Sequence, residues 1–250
     1  MNQKITTVQL FVTCLVDKFY PEAGFAAVEI LENLGLTVEF PQAQTCCGQP
    51  AYNGGYWDDA RAMARYTVNL LAQSEAPIVI PSGSCAEMIV HHYPTLLADD
   101  PAAVTAADVA GRTYELTQFL VDVLGVTNLH TACPGSVAYH ASCHGLRGLG
   151  LRHQPRRLLQ NVDDLTLADL PEAETCCGFG GLFAVKMSDI SGAMLADKLD
   201  NIAAGGADTV TATDVSCLMH IAGGLRRRGS RVQVKHIAQI LRGNQKESNR

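Results

Sequence analysis

The chain has 250 residues, a formal net charge of −6 at pH 7 and 47% hydrophobic residues, enough for one large domain or two smaller ones. Its basic residues lie in short, separated clusters, so nucleic acid is not an expected partner. No window approaches the roughly 18 consecutive apolar residues of a membrane span, and the N-terminus lacks the pattern of a secretory signal. We therefore expect a soluble, cytoplasmic protein without a membrane span.

The first predicted unit is a strand followed by a helix. Residues 8–13 are rich in β-favouring residues and lead directly into Cys14. Pro21 is typical of a helix start and Gly35 of a helix end. The helical spacing between them places four apolar residues on one predicted core face: Phe25, Val28, Leu31 and Leu34.

The same alternation continues through the first hundred residues. A short apolar strand at 37–40 leads into the Cys46-Cys47-Gly48 turn. Residues 59–73 have a helical pattern, and the compact apolar run 78–80 predicts a buried strand shortly before Cys85. Each cysteine therefore follows the carboxyl end of a predicted strand.

The second half repeats this order after an intervening segment. That segment, 99–135, has a helical apolar face and predicts a connector. Predicted strands at 137–141, 165–170 and 209–212 then precede three cysteine positions: Cys143, the Cys176-Cys177 pair and Cys217.

Alternating strands and helices predict an α/β fold with parallel sheets and right-handed crossovers. We expect two tandem, homologous, Rossmann-like βαβ modules at 1–98 and 136–242, joined by the helical connector 99–135. The polar segment 243–250 is expected to be a flexible tail. Ligands of such sheets bind in the crevice outside the carboxyl ends of the strands.

Nine cysteines in a reducing compartment usually indicate metal or redox chemistry, because structural disulfides are disfavoured there. Eight of them form an internal repeat. The Cys46-Cys47-Gly48 triplet recurs 130 residues later (176 − 46), Cys14 recurs at Cys143, and Cys85 recurs at Cys217. We therefore predict two metal sites: Cys14, Cys46, Cys47 and Cys85; and Cys143, Cys176, Cys177 and Cys217. The ninth, Cys133, has no counterpart and is expected to be an ordinary buried residue.

Four thiolates suit either zinc or an iron–sulfur cluster. Structural zinc sites usually take cysteines in pairs about two to four residues apart, whereas the close pair in each set here is strictly adjacent. Adjacent side chains converge only in a turn, and they do so more easily on a large cluster than on one ion. The following glycine lets backbone N–H groups approach the sulfur atoms. We favour iron–sulfur clusters, with zinc in a structural or scaffold protein as the alternative.

A thiol or disulfide reductase is the third possibility. The vicinal cysteines would have to form a strained disulfide ring, and the Cys-x-x-Cys motif of such enzymes is absent. That function also leaves Cys14, Cys85 and their repeats unexplained.

With these residues in view, the chain resembles the cysteine-rich CCG domain family of iron–sulfur oxidoreductase subunits. This family includes the cysteine-rich subunit of heterodisulfide reductase and the iron–sulfur subunit of glycolate oxidase. The runs 10–17, 40–53, 139–147 and 174–181 look like the lactate utilization protein A family. The resemblance covers nearly the whole chain. It implies a subunit of a cytosolic system that oxidises L-lactate to pyruvate together with lactate utilization proteins B and C. Our leading hypothesis is an iron–sulfur electron-transfer subunit of that system.

One departure from the family pattern concerns the end of each module. The fuller family motif ends in Cys-x-x-Cys, but the first cysteine of that pair is replaced by Ser82 in one module and Asp214 in the other. Each site therefore has four thiols, which fits an ordinary [4Fe-4S] cluster better than the non-cubane cluster of heterodisulfide reductase. Nothing in the sequence indicates an arginine arrangement that would bind the lactate carboxylate.

Overall fold

Two parallel four-stranded sheets, one in each half of the chain, organise residues 5–245, which the computed structural model describes. The strands of the first sheet are β1 Thr7–Leu10, β2 Thr37–Glu39, β3 Ile78–Ile80 and β4 Thr113–Glu115. Those of the second are β5 Thr131–Tyr139, β6 Asp163–Ala168, β7 Thr209–Ala212 and β8 Gln233–His236, with a short β9 Asn244–Gln245 antiparallel to β5. The strand orders are β2-β1-β3-β4 and β6-β5-β7-β8. The two halves thus repeat one topology, which confirms the predicted pair of Rossmann-like α/β modules.

Helices form the crossovers that parallel strands require. They are α1 Cys14–Phe19, α2 Pro21–Asn33, α3 Gln49–Asn53, α4 Trp57–Leu71, α5 Gly83–Glu87, α6 Tyr93–Leu96, α7 Ala103–Gly111, α8 Leu116–Gln118, α9 Gln154–Leu159, α10 Leu182–Lys186, α11 Ser188–Gly205, α12 Val215–Arg227 and α13 Ile237–Arg242. Single π-helical turns cover Met88–His92, Phe119–Val123 and His144–Gly148. Between residues 5 and 245, no helix is both long and apolar enough to span a bilayer.

Helix α2 begins at Pro21, as the sequence predicts. Of its predicted apolar face, Leu31 is buried and Val28 and Leu34 pack partly buried against the core, so Phe25 is the one exception. Phe25 is 61% exposed, whereas Ala23, Ala27 and Ile30 are buried. These three residues recur at intervals of four and three and so define one helical stripe. Small alanines let the helix lie close to the sheet, and the aromatic ring is left on the solvent side.

The segment 99–135, for which we expected a helical connector, also completes the first sheet. It contains α7 and strand β4, and β4 pairs with β3 through Ile78 and Thr113. The predicted apolar face within it is buried at Leu116, Phe119 and Leu120. Of the expected tail 243–250, Asn244 and Gln245 pair with the start of β5, and residues 246–250 lie outside the described part of the chain.

The two modules share one core. A single hydrophobic cluster joins residues of β1, such as Val8, to residues of β5, such as Val137. Helix α13 of the second half packs against α2 of the first, and α8 of the first half packs against α9 of the second. Each module therefore covers the other's first crossover helix. This packing of helices from one half against the other fixes the orientation of the two sheets, and so of their carboxyl ends.

Candidate metal centre

All eight repeated cysteines line one cleft at the carboxyl ends of both sheets. The cleft has a volume of about 340 Å³. Its walls also include the cap residue Ser82, the ring of Phe179 and the imidazole of His144. The structure thus brings together the residues of both predicted sites in the lining of one cavity.

Local structure positions the first set of thiols. Cys14 is the first residue of α1, and Cys85 lies in the first turn of α5, which Ser82 caps by accepting a hydrogen bond from the Cys85 N–H. The Sγ atoms of Cys47 and Cys85 are 3.3 Å apart. Cys46 contacts both Cys14 and Cys47, so the four sulfurs form one continuous chain of contacts.

The Cys-Cys-Gly turn depends on its glycine. Gly48 has φ of 83° and Gly178 has φ of 85°, a left-handed conformation that other residues adopt only with strain. A Cβ on Gly178 would also lie 2.7 Å from the carbonyl oxygen of Ser191. In this turn the Gly178 N–H donates to the Cys176 Sγ at 3.3 Å. The motif thus bends the chain so that adjacent cysteines converge, and it aims a backbone donor at sulfur.

Different groups pin this turn to the sheet in the two modules. In the first module the Gln44 side chain accepts from the Val12 N–H at 2.8 Å and donates to the Leu10 carbonyl at 2.7 Å. In the second, the Ala173 carbonyl accepts from the Ala141 N–H at 3.2 Å, and the His140 Nδ1 lies 3.2 Å from the same oxygen.

The second set of thiols repeats the arrangement of the first. Cys143 contacts Cys176, Cys176 contacts Cys177, and Cys177 contacts Cys217. Cys177 and Cys217 are buried, whereas Cys143 and Cys176 are partly exposed to the cleft. The imidazole of His140 lies beside this set. One of its ring nitrogens, a possible metal ligand, and the sulfurs of Cys177 and Cys217 are all within 4.8 Å of one another.

Each set contains a sulfur that is favoured as a thiolate. The Cys14 thiol donates to Cys46 and, with the Cys47 thiol and the Gly48 N–H, lowers the pKa of Cys46 to about 3. The corresponding contacts from Cys143 and Cys177 lower the pKa of Cys176 to about 2. Thiolates are the form of cysteine that binds metals. The four converging soft donors of each set therefore fit a thiolate-bound metal or iron–sulfur cluster.

Ser82 and Asp214, which replace family cysteines, contact each other across the module boundary. Asp214 is 1% exposed and its Oδ1 accepts from the Ser82 hydroxyl at 3.0 Å and the Ser84 N–H at 2.9 Å. Its Oδ2 accepts from the Ser142 hydroxyl at 2.5 Å. The carboxylate therefore ties the Cys85 loop of one module to the Cys143 loop of the other. Sequence reasoning missed this contact.

A second polar contact crosses the same boundary at the rim of the cleft. His144 pairs through Nδ1 with the Glu87 carboxylate, and this hydrogen bond raises the pKa of His144. Gly148 makes room for the pair, because a Cβ there would collide with Glu87. The remaining cysteine, Cys133, lies in β5 and packs partly buried against the shared core, away from the cleft lining.

Comparison with known proteins gives consistent matches. A family model described as a cysteine-rich domain, CCG, matches residues 8–90 and 137–222. The chain is 46% identical to lactate utilization protein A from Exiguobacterium sp. strain AT1b, over 96% of this chain and 99% of that protein. It is 49% identical to lactate utilization protein A from Bacillus cereus strain B4264, over 94% of this chain and 98% of that protein. Among solved structures, an Asp/Glu racemase from Yersinia pestis aligns over 95% of this chain and 96% of its own, at 9% identity and a TM-score of 0.35, which carries no argument about function.

Proposed function

Because this chain belongs to the cysteine-rich CCG domain family, and within it to the lactate utilization protein A family, we propose that it is the iron–sulfur electron-transfer subunit of a cytosolic system oxidising L-lactate to pyruvate. Cys14, Cys46, Cys47 and Cys85 would hold one [4Fe-4S] cluster, and the four repeated cysteines of the second module would hold the other. Lactate utilization proteins B and C, or equivalent redox subunits, would be its partners.

The observation that carries this proposal is the convergence of both cysteine sets on one cleft. Such clusters, when bound, take up and pass on single electrons at potentials set by ligands, hydrogen bonds and solvent exposure. The chain supplies thiols poised to ionise at Cys46 and Cys176 and a backbone donor to sulfur at Gly178. Cys47 and Cys177 are the most deeply buried cysteines of their sets. The partly exposed Cys14 and Cys143 face the cleft, where a redox partner can approach.

The lining of the cleft supports a subunit role over independent lactate oxidation. Among the described residues that line it there is no arginine or lysine. A carboxylate substrate would lack the bidentate guanidinium or ammonium partner that usually binds it. We therefore propose that lactate binds a partner protein and that electrons, not substrate, reach this chain.

Metal analysis of protein made without oxygen tests the cofactor. We expect iron and acid-labile sulfide, and we expect Cys46→Ser and the double variant Cys176→Ser/Cys177→Ser each to remove about half of both. Cys133→Ser is the matched control and should leave the content unchanged, because Cys133 packs against the core outside the cleft. Stoichiometric zinc without labile sulfide would refute the cluster assignment.

Growth and reconstitution test the pathway. Deletion of the gene should abolish growth on L-lactate where no other lactate dehydrogenase substitutes, and the eight-cysteine set should be needed to restore growth. The purified chain alone should not reduce a dye with lactate, whereas the chain combined with its partners should. Lactate oxidation by the isolated chain would contradict the subunit role, and complementation by a variant lacking Cys46, Cys47, Cys176 and Cys177 would exclude the clusters from the reaction.

A further inference from the structure

Besides the Ser82 and Asp214 pair, the two modules differ at a second buried position close to their cysteines. Phe11 and His140 each lie three residues before the first cysteine of their set, and both are fully buried. Their backbone N–H groups make equivalent hydrogen bonds to the adjacent strand, at 3.0 Å to Val79 and 2.8 Å to Thr211. One fold position therefore carries a hydrocarbon ring in the first module and an imidazole in the second.

The hydrogen bonding of His140 defines which nitrogen carries its proton. Nδ1 lies 3.2 Å from the Ala173 carbonyl oxygen, and a carbonyl can only accept, so Nδ1 is the donor. In the neutral ring Nε2 is then a bare lone pair. It is buried and makes no hydrogen bond of standard geometry, although the ring lies in contact range of the Cys217 sulfur. One ring nitrogen lies within 4.8 Å of the Cys177 and Cys217 sulfurs. Because Nδ1 is already engaged by the Ala173 carbonyl, we assign this position to Nε2.

The lone pair of His140 Nε2, beside the cysteine sulfurs, is stabilised only by a positively charged partner. Once the thiols bind a metal they are thiolates, which have no proton to donate to Nε2. An unpaired buried acceptor facing two thiolates costs free energy. A metal ion among the three atoms removes that cost. An imidazole whose other N–H donates to a backbone carbonyl is also the usual arrangement of a metal-binding histidine, because the carbonyl fixes its tautomer and orientation.

We propose that His140 is a ligand, through Nε2, of the metal centre in the second module, a donor that the first module lacks because Phe11 occupies the equivalent position. The proposal rests on the proposed function, since it presupposes metal at both cysteine sets. The second module then offers five donors where the first offers four, and a four-iron cluster with one terminal ligand per iron would leave one second-module thiol uncoordinated. Histidine in place of cysteine raises the reduction potential of an iron–sulfur centre, so the second centre should be the easier one to reduce.

Nitrogen hyperfine spectroscopy on the reduced, metal-loaded protein tests this directly. The protein is prepared with 14N- or 15N-labelled histidine, and electron–nuclear double resonance is recorded for wild type, for Cys46→Ser, and for the double variant Cys176→Ser/Cys177→Ser. Each variant leaves one module with only three donors, so Cys46→Ser should retain the second centre and the double variant the first. We expect the coupling of a directly bonded nitrogen, changed by the isotope, in wild type and Cys46→Ser. We expect none in the double variant.

Substitutions at the two equivalent positions complete the test. In His140→Asn the short amide can still donate to the Ala173 carbonyl, as Nδ1 does, but Nε2 is gone; His140→Phe copies the first module. Both should lose the nitrogen coupling, and the potential of the second centre should fall towards that of the first. The unchanged spectrum of the first centre reports that each variant is folded. The reverse change, Phe11→His, tests whether the first position accepts a nitrogen donor and should raise the potential of the first centre.

The outcomes separate the two proposals. Protein without iron and labile sulfide would contradict the proposed function itself. Protein with both centres loaded, but with a histidine coupling that is absent or of hydrogen-bond strength, would overturn the assignment of His140 as a ligand. An unchanged second-centre potential in both His140 variants would overturn it as well.

Discussion

Replacing Asp214 by alanine should destabilise the fold by breaking the polar contact between the modules. The carboxylate accepts three hydrogen bonds, from the Ser82 hydroxyl, the Ser84 N–H and the Ser142 hydroxyl. It is 1% exposed, so water cannot replace it without the structure opening. A buried donor left without a partner costs about 1–3 kcal/mol.

Loss of the carboxylate does not cost the same free energy at each of the three donors. The Ser82 hydroxyl has a second neighbour in the Ser84 hydroxyl at 3.1 Å, and the Ser142 hydroxyl has one in Thr213 at 3.2 Å. The Ser84 N–H has no such alternative among the described contacts. We therefore expect Asp214→Ala to lower the free energy of unfolding by about 2–4 kcal/mol, since one stranded donor adds to the lost charge-assisted bonds and a small cavity.

Asparagine at the same position is the informative comparison. Its amide oxygen can still accept from Ser82 and Ser84, and its NH₂ group can donate to the Ser142 oxygen if that hydroxyl turns towards Thr213. We expect Asp214→Asn to cost about 1 kcal/mol. Asp200→Ala is the control, because Asp200 is 70% exposed in a surface pair with Arg228 and such pairs contribute about 0–1 kcal/mol.

Urea unfolding of the reduced, metal-free proteins, followed by circular dichroism, measures these differences. Because the modules share a core, a single transition is expected. Equal unfolding free energies for Asp214→Ala and wild type would refute the hydrogen-bond argument. A second result would also refute it. If metal-loaded Asp214→Asn held half the iron of wild type while its unfolding free energy was unchanged, the Asp214 carboxylate would be a metal ligand.

Two further predictions concern backbone strain and pH. Gly178→Ala should prevent assembly of the second centre, because a Cβ at this positive φ would lie 2.7 Å from the Ser191 carbonyl oxygen. Gly48→Ala has a similar φ, but its nearest contact would be at 3.3 Å, so it should lose less iron. Iron content after reconstitution compares the two variants. Burial raises the pKa of Glu115 from 4.5 to about 8. The folded protein thus holds a proton on Glu115 that the unfolded chain has lost, so the contribution of Glu115 to stability should fall as pH rises from about 4.5 to about 8. The thiolates of Cys46 and Cys176 act in the opposite direction, because the same thiols are protonated in the unfolded chain. In urea titrations across this range, the stability of Glu115→Gln should therefore rise with pH more steeply than that of wild type, by one proton; equal slopes for the two proteins would contradict the assignment.

The features that could be predicted from the sequence are the local patterns that recur in both halves of the chain. The offsets between cysteines, together with strand patterns before each, were enough to define two equivalent sets and to place both at the carboxyl ends of parallel strands, as the topology bears out. The helix from Pro21 was also predictable from its terminal residues. Its buried face was predictable at Leu31 but not at the alanines, because hydrophobicity favoured Phe25 over alanine, whereas packing against a sheet favours the smaller side chain.

Contacts between the modules lay beyond the reach of the sequence. Nothing local to Asp214 indicates that it binds Ser82 across 132 residues, because pairing of this kind depends on how two sheets are set against each other. The same is true of His140, whose hydrogen bond to Ala173 fixes the nitrogen that is left facing the sulfurs. In sequence, a histidine near a cysteine is a weak indication of metal binding. It becomes informative only when the structure shows the hydrogen-bond partner of the other ring nitrogen.

The exchange of helices between the modules explains why both sites belong to one chain. If each module had its own separate core, the two cysteine sets could move relative to one another at little cost. Here α13 covers α2, α8 covers α9, and Asp214 ties the two cysteine loops together, so relative motion would expose shared apolar surface and break buried hydrogen bonds. In the proposed function, a fixed separation would keep the distance for electron transfer between the two centres constant. The shared core of this fold therefore supports the proposed redox role through the geometry it imposes on the cleft, beyond the thiols that it supplies.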